Sequence, residues 1–368
     1  MKALVIGGTG PSGPYIVNGL LARRHDVTIL HGGQHEVEFA QPVEHIHTDP
    51  HFAETLAPAL EGRSFDIVIA TYGRMRIIAD LLKGKTGRFI GAGGAGIYAR
   101  FDDPRWGPLG PPTMVAEDGP RCDDPSGPKF NYLMWVTEET VMRAHREGHY
   151  IATYVRYPSI YGAHAPANPD WSIVRRILDG RRRLIVPANG VLKRRGSARN
   201  VAHALLLAVD KPAESGGQIY NVRDEHQYTQ RQYVDFIAHH LKHDCEIVEV
   251  PPTLAQKVYK GSASRPRWMV EYDIGKIRSE LGYRDLITPA QALADAVDWL
   301  VANRPEPGGE IERQLGDPFA YAAEDAMLEA YKAGHDAANA VEFPEMQLGH
   351  MYRHPKKPGE VWAPPSRS

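Results

Sequence analysis

The sequence predicts an α/β protein, a doubly wound parallel sheet with a smaller α/β lobe. Three observations lead there. Over the first 160 residues short apolar runs alternate with helical patterns, a glycine-rich turn directly follows the first apolar run, and after residue 165 the alternation loosens with no internal repeat. Strands separated by helices of this length pair in parallel through crossover connections.

In order, "KALVIGG" reads as a buried strand and "PYIVNGLLARRH" as a helix with apolar residues at helical spacing. "DVTILHGG" is a strand, "FAETLAPALEG" a helix, "FDIVIATYG" a strand and "MRIIADLLKGK" a helix. "GRFIGAGG" and "YIATYVRYP" are two more strands, separated by a helix within "GPKFNYLMWVTEETVMRA". Residues 101–128, rich in Pro, Gly and Asp, form a long loop, and loops of that length in a compact domain are often functional. Beyond it, "WSIVRRILDG", "ARNVAHALLLAVDK" and "TQRQYVDFIAHHLK" read as helices, "GQIYNV" and "CEIVEVP" as strands. "TPAQALADAVDWLVANR" is a helix with Thr288 as N-cap and Pro289 at its first position. "PFAYAAEDAMLEAYKAG" is a last helix before a Pro-, Lys- and His-containing tail.

Composition excludes some classes. With 42% hydrophobic and 24% charged residues and a net charge of −2, the chain lacks the basic surface of an electrostatic nucleic-acid binder. No run of 18 apolar residues suggests a membrane span, and "MKALVIGGTG" enters a strand without a signal-peptide pattern, so a cytoplasmic protein is expected. Cys122 and Cys245 read as free thiols.

The strongest motif is "VIGGTGPSGPYIV". Gly7, Gly10 and Gly13 fit G-x-x-G-x-x-G, and Gly8, Gly10 and Gly13 fit G-x-G-x-x-G, between a strand and a helix as the motif requires. Such a turn brings backbone close to a pyrophosphate at a helix N-terminus, and Pro14 suits that helix's first turn. Gly7, Thr9, Gly10, Ser12 and Gly13 are the expected contacts to NAD or NADP. The second strand ends near His31 and Gly32, where NAD sites usually carry an acid. With no carboxylate there to repel a 2′-phosphate, NADP is preferred. Asp49, after "EHIHT", is placed to meet the adenine if that segment is the third strand, and otherwise reads as a turn or N-cap aspartate. Five histidines fall between residues 31 and 51, namely His31, His35, His45, His47 and His51. His45 and His47 share a strand face, but without Cys partners or an i, i+4 pair no metal is expected.

With this turn in place, the chain resembles the extended short-chain dehydrogenase/reductase superfamily, specifically the NAD-dependent epimerase/dehydratase family, over about residues 1–300. The resemblance rests on "GGTGPSG", "VRYPSIYG", "RNVAHALLLAV" and "YNVRDEHQYTQRQYVDFIA". It implies a Rossmann-type dinucleotide domain over 1–165 with 195–225 returning to it, a substrate-binding lobe over 166–304, and a C-terminal helix and tail over 305–368. A homodimer follows by family analogy. The family's chemistry implies a Tyr and a Lys four residues apart on one helix face, plus a Ser or Thr after the fifth strand.

The sequence departs from that pattern. The serine would fall near Gly93 or Gly94, and of the three helix registers tried, Phe130 pairs with Met134, Asn131 with Trp135 and Tyr132 with Val136. None supplies a lysine. Tyr132 remains the best single proton donor, with Tyr98 as a second, and Gly94 is assigned to the cofactor. Arg156, Ser159 and Tyr161 lie at the carboxyl end of the sixth strand, where such sheets bind ligands. With Arg74, Lys193 and Arg194 they favour a small anionic substrate. The function expected is an NAD(P)-dependent oxidoreductase or epimerase with a non-standard acid–base set. The alternatives are a cofactor-binding sensor or scaffold without turnover, or a non-redox lyase or isomerase.

Overall fold

The computed structural model describes residues 1–33, 36–165, 168–259, 269–345 and 357–359, so His35 lies outside the described residues. The chain divides into two units, Met1–Phe319 and Ala320–Ser368.

The first half of unit one runs β1 (Lys2–Ile6), α1 (Gly13–Ala22), β2 (Asp26–His31), β3 (Glu44–His47), α2 (Ala53–Ala59), β4 (Phe65–Ala70), α3 (Met75–Leu81), β5 (Thr86–Gly94), β6 (Met114–Val115), α4 (Lys129–Arg146), β7 (Ile151–Tyr157) and β8 (Ser159–Tyr161). The second half runs α5 (Trp171–Leu178), β9 (Arg183–Pro187), β10 (Arg195–Ser197), α6 (Ala198–Asp210), α7 (Pro212–Ser215), β11 (Gln218–Asn221), α8 (Gln230–His240), β12 (Glu246–Val250), α9 (Pro252–Val258), β13 (Glu271–Tyr272), α10 (Gly275–Leu281), α11 (Pro289–Ala302) and α12 (Glu310–Leu315). Unit two contains the helix α13 (Tyr321–Asn339).

Seven strands form one all-parallel sheet in the order β11-β7-β5-β4-β1-β2-β3. The inner strands β1 and β4 are mostly apolar because both faces are covered, whereas the edge strand β3 reads EHIH. Successive side chains of β1 alternate between two cores. Ala3 and Val5 pack with Ile16, Val17 and Leu20 of α1 and with Val201 and Leu205 of α6. Leu4 and Ile6 pack with Leu56 of α2, Ile78 of α3 and Val141 of α4. Gly19 permits the close approach of α1 to α6, since a Cβ there would stand 2.3 Å from Leu206 Cδ1.

β11, from the second half of the chain, returns to the sheet beside β7. The remaining short strands pair in twos: β8 with β10, β9 with β12 and β6 with β13. Buried ion pairs bind this region together. Arg176 is bidentate on Asp317, and Arg195 on Asp170 with its guanidinium between the Tyr161 and Tyr233 rings. The Thr288 hydroxyl caps α11 by accepting from Gln291 N.

Candidate functional site

The turn between β1 and α1 is built as the motif requires. Gly7 has φ +97°, and a Cβ there would stand 2.5 Å from Tyr72 Cβ. A Cβ on Gly13 would fall 2.1 Å from Gly8 O, so glycine is needed for α1 to begin against the strand. Gly10 differs, because its nearest neighbour would be Gly7 O at 3.9 Å and a side chain there would enter open space. That open side at the start of α1 fits a pyrophosphate, and the residues of this turn fit the phosphate end of NAD(P).

The adenosine end is less standard. Thr28–His31 of β2 pairs with Glu44–His47 of β3, which puts His31 beside His47 and Ile29 beside His45. His31 is buried at 3% exposure, and its Nε2 lies 3.2 Å from His45 Nδ1. The Glu36 carboxylate folds back onto all three rings, 3.2 Å from His45 Nδ1, 3.1 Å from His47 Nε2 and 3.9 Å from His31 Nε2. A carboxylate therefore stands at the end of β2 after all, supplied five residues beyond it, and the reason for preferring NADP does not hold. Asp49 forms a turn with its oxygen on His51 N and Nδ1, at 2.9 and 2.7 Å. His51 holds its carboxyl below the usual aspartate range.

Beyond the carboxyl end of β5 lie two adjoining hollows of about 490 and 430 Å3, which share Ala95, Gly96, Arg194 and Tyr272. Gly94, Phe130, Met134, Tyr157, Ser159, Lys193 and Arg195 line the second, while Tyr98, Trp106 and Asn131 line the first. Helix α4 thus presents Phe130, Asn131 and Met134 to the cleft, and Asn131 Nδ2 donates to Gly96 O at 2.5 Å. Tyr132 lies about 200° further round the helix from Phe130. It is not among the residues lining either hollow, and its ring stacks on Trp135 at 5.7 Å.

Glycine at the end of β5 follows from packing. At Gly93 a Cβ would overlap the Tyr154 hydroxyl, 1.9 Å away, and at Gly94 it would stand 2.7 Å from Met134 Cε. At these two positions the backbone is close-packed against the Tyr154 phenol and the Met134 thioether.

Several expected ligands are engaged by partners within the chain, although Tyr98 also lines the first hollow. The Tyr98 hydroxyl donates to Asn221 Oδ1 at 2.6 Å and accepts from Arg156 Nη1 at 2.8 Å. Burial pushes its pKa up to about 12, against the pull of Arg156. Arg156, at 0% exposure, is bidentate on Glu138 at 2.7 and 2.8 Å and donates to Glu117 O, so it holds α4 to β7 rather than facing a ligand. The Tyr161 hydroxyl donates to Asp224 Oδ2 at 2.8 Å inside the core. Arg74 starts α3 with its guanidinium over the Phe52 ring, 5.2 Å from the centroid.

Ser159, Lys193 and Arg194 do reach the cleft. Burial, with Arg195 and Arg194 nearby, draws the Lys193 amine down to about 8, while Asp170 works the other way. Arg194 holds φ +33° and its guanidinium lies 5.7 Å from the Tyr272 ring centroid. Tyr157, which sequence reasoning passed over, links the two parts of the site. Its ring lines the cleft opposite Gly94, and its hydroxyl faces Ser12 of the glycine turn. Burial raises its phenol well above the usual range and Ser12 offsets part of that. Its place before Pro158 in "VRYPSIYG" was the available signal.

This arrangement has counterparts among solved structures. UDP-glucose 4-epimerase from Thermotoga maritima, solved with UDP-glucose, matches with a TM-score of 0.64 at 17% identity, over 83% of this chain and 100% of that one. UDP-glucose 4-epimerase from Bifidobacterium longum, in complex with NAD+ and UDP, matches with a TM-score of 0.63 at 15% identity, over 82% and 99%. dTDP-glucose 4,6-dehydratase from Bacillus anthracis in complex with NAD matches with a TM-score of 0.64 at 14% identity, over 82% and 97%. This is the epimerase/dehydratase fold. No protein-family model matches the chain, and neither does any curated protein. Within the shared fold the glycine turn is complete and α4 carries no Tyr-x-x-x-Lys pair. Among the described residues no helix is long and apolar enough to cross a membrane.

Proposed function

We propose that the protein is an NAD(P)-dependent oxidoreductase or epimerase of the short-chain dehydrogenase/reductase type, acting on a small anionic molecule. Its proton would be moved by Lys193 rather than by a Tyr–Lys pair. The observation that carries this reading is the Lys193 amine, drawn to about 8 in the same hollow as Gly94 and Met134. A group titrating near neutral pH in a cleft is suited to general acid–base work.

Gly7, Gly10 and Gly13 would hold the pyrophosphate, with Tyr157 and Gly94 flanking the inner end of the dinucleotide. When bound, NAD(P) supplies the hydride acceptor. Arg194 would bind the anionic group of the substrate, and Met134, packed over Gly94, would form an apolar wall beside the reacting carbon. Lys193, neutral above about pH 8, would accept the hydroxyl proton as that carbon is oxidised and return it on reduction. The neighbours' binding of NAD and of UDP-glucose supports this class without naming the substrate.

The test is a screen of anionic hydroxy and keto compounds, nucleotide sugars included, followed by reduced-nicotinamide absorbance. Turnover by the wild type that falls at least about 100-fold in Lys193→Met supports the reading. Turnover unaffected by that change removes Lys193 from it. A second reading, a dinucleotide-binding protein without turnover, is favoured by the apolar Phe130 and Met134 at the dyad positions. It predicts binding of NADH with no hydride transfer to any of these compounds.

A further inference from the structure

We propose that His31, Glu36, His45 and His47 form a Zn2+ site at the carboxyl edge of β2 and β3. The site uses no residue of the two hollows beyond β5, although His31 and Glu36 also stand at the adenosine end of the nucleotide site. It was not expected from sequence because only His45 and His47 share a strand, and two imidazoles make no centre. The register supplies the rest. His31 pairs with His47 across β2 and β3, so the three rings emerge on one face, and the chain leaving β2 brings Glu36 back over them.

The geometry is that of a ligand set. One nitrogen or oxygen from each residue lies within 4.8 Å of all the others. Zinc bonds to His and carboxylate of about 2.0–2.2 Å in a tetrahedron require ligand atoms about 3.3–3.6 Å apart. The measured separations are 3.2 Å for His31 Nε2 to His45 Nδ1, 3.2 Å for His45 Nδ1 to Glu36, 3.1 Å for His47 Nε2 to Glu36 and 3.9 Å for His31 Nε2 to Glu36. With ligand atoms up to 4.8 Å apart, drawing them onto a metal requires side-chain movements of up to about an ångström.

Three neutral imidazoles and one carboxylate favour zinc over the hard cations, which prefer oxygen. Four protein ligands fill the coordination sphere, so the site would be structural rather than catalytic. The buried His31 anchors it to the sheet, while the exposed side chains of Glu36 and His47 leave a path for the ion. Phe39 covers one side, its ring centroid 6.0 Å from that of His45. One contact must open on loading. Gly33 N–H points at His31 Nδ1 at 3.3 Å, and a metal on Nε2 leaves the ring proton on Nδ1. Loading would then pin the edge strand β3 and the segment after β2 to the body of the sheet.

The experiment uses the full chain without an affinity tag, stripped with chelator and titrated with Zn2+ by calorimetry, with Co2+ absorption as a second readout. One Zn2+ per chain, visible bands of four-coordinate Co2+ and a raised unfolding temperature on loading are expected. The His45→Ala, His47→Ala double variant should lose the Co2+ bands and weaken Zn2+ binding by more than about 100-fold, beyond the loss typical of outer-shell partners. Glu36→Gln, in an exposed segment, should weaken it by at least about 10-fold while the metal-free unfolding temperature stays unchanged. The exposed His149→Ala serves as a control and should bind as the wild type does. Absence of stoichiometric binding by the intact chain, or binding that survives both the double variant and Glu36→Gln, overturns the proposal.

Discussion

Met134 lies over Gly94 so closely that a Cβ on the glycine would stand 2.7 Å from its Cε. One turn earlier on the same helix, Phe130 lines the same hollow. The end of β5 and this face of α4 are therefore close-packed where Met134 meets Gly94.

The two glycines at the end of β5 should respond differently to serine. At Gly93 the obstacle is the buried Tyr154 hydroxyl, 1.9 Å from a Cβ and fixed in the core. Gly93→Ser should cost about 1–3 kcal/mol, as overpacking does. At Gly94 the obstacle is the end of a flexible thioether, which can turn aside, so Gly94→Ser should cost under about 1 kcal/mol. Urea denaturation of the two variants measures the difference.

Arg156 is expected to act on stability. Replacing it with Ala leaves Glu138, 1% exposed, with only the longer 3.3 Å contact from Arg121, and should cost up to about 3–5 kcal/mol. Tyr98→Phe removes the hydroxyl that bridges Arg156 and Asn221 and should cost about 1–3 kcal/mol. Thermal or urea unfolding checks both, and neither should alter NADH affinity in the folded fraction.

Lys193 gives a pH signature that needs no substrate. Its folded-state pKa, about 8, lies below the ordinary lysine value of 10.5. Between those values the unfolded chain holds a proton that the folded chain has released, so this residue's contribution makes the protein more stable as pH rises from about 8 to 10.5. Isotope-labelled reductive methylation followed by NMR should show one lysine titrating near pH 8, absent in Lys193→Met.

Glu271 should act in the opposite sense. Burial raises its pKa to about 7, against the pull of Arg223, whose Nε is 3.7 Å away. The folded chain then holds the proton that the unfolded chain loses near 4.5, so its contribution is full below that pH and is lost as pH rises to about 7. Glu271→Gln should flatten the stability profile between pH 4.5 and 7, as followed by unfolding midpoint.

The sheet and the nucleotide turn were legible because their signals are local. A strand buried on both faces must be apolar throughout, and Gly7, Gly10 and Gly13 mark one backbone turn. The face of α4 was not legible. Phe130, Asn131 and Tyr132 each offered a register, and only packing shows that Met134 and Asn131 are the side chains turned to Gly94 and Gly96. Nor does sequence distinguish an arginine that lines a cleft from one that closes a core, as Arg194 and Arg156 do. The histidine cluster was half visible in His45 and His47, and the strand register together with the return of Glu36 completes it.

The measurement that tests the central claim most directly is a fluorescence titration of the full chain with NADH and NADPH, run beside Gly10→Val. A side chain at Gly10 meets no protein atom closer than 3.9 Å at its Cβ, so the variant should fold while its added methyls occupy the pyrophosphate space. Saturable binding by the wild type, with NADH held at least as tightly as NADPH beside Glu36, and loss of binding in Gly10→Val is the result expected. A wild type that binds neither nucleotide at millimolar concentration, or a variant that binds as well as the wild type, would contradict the account.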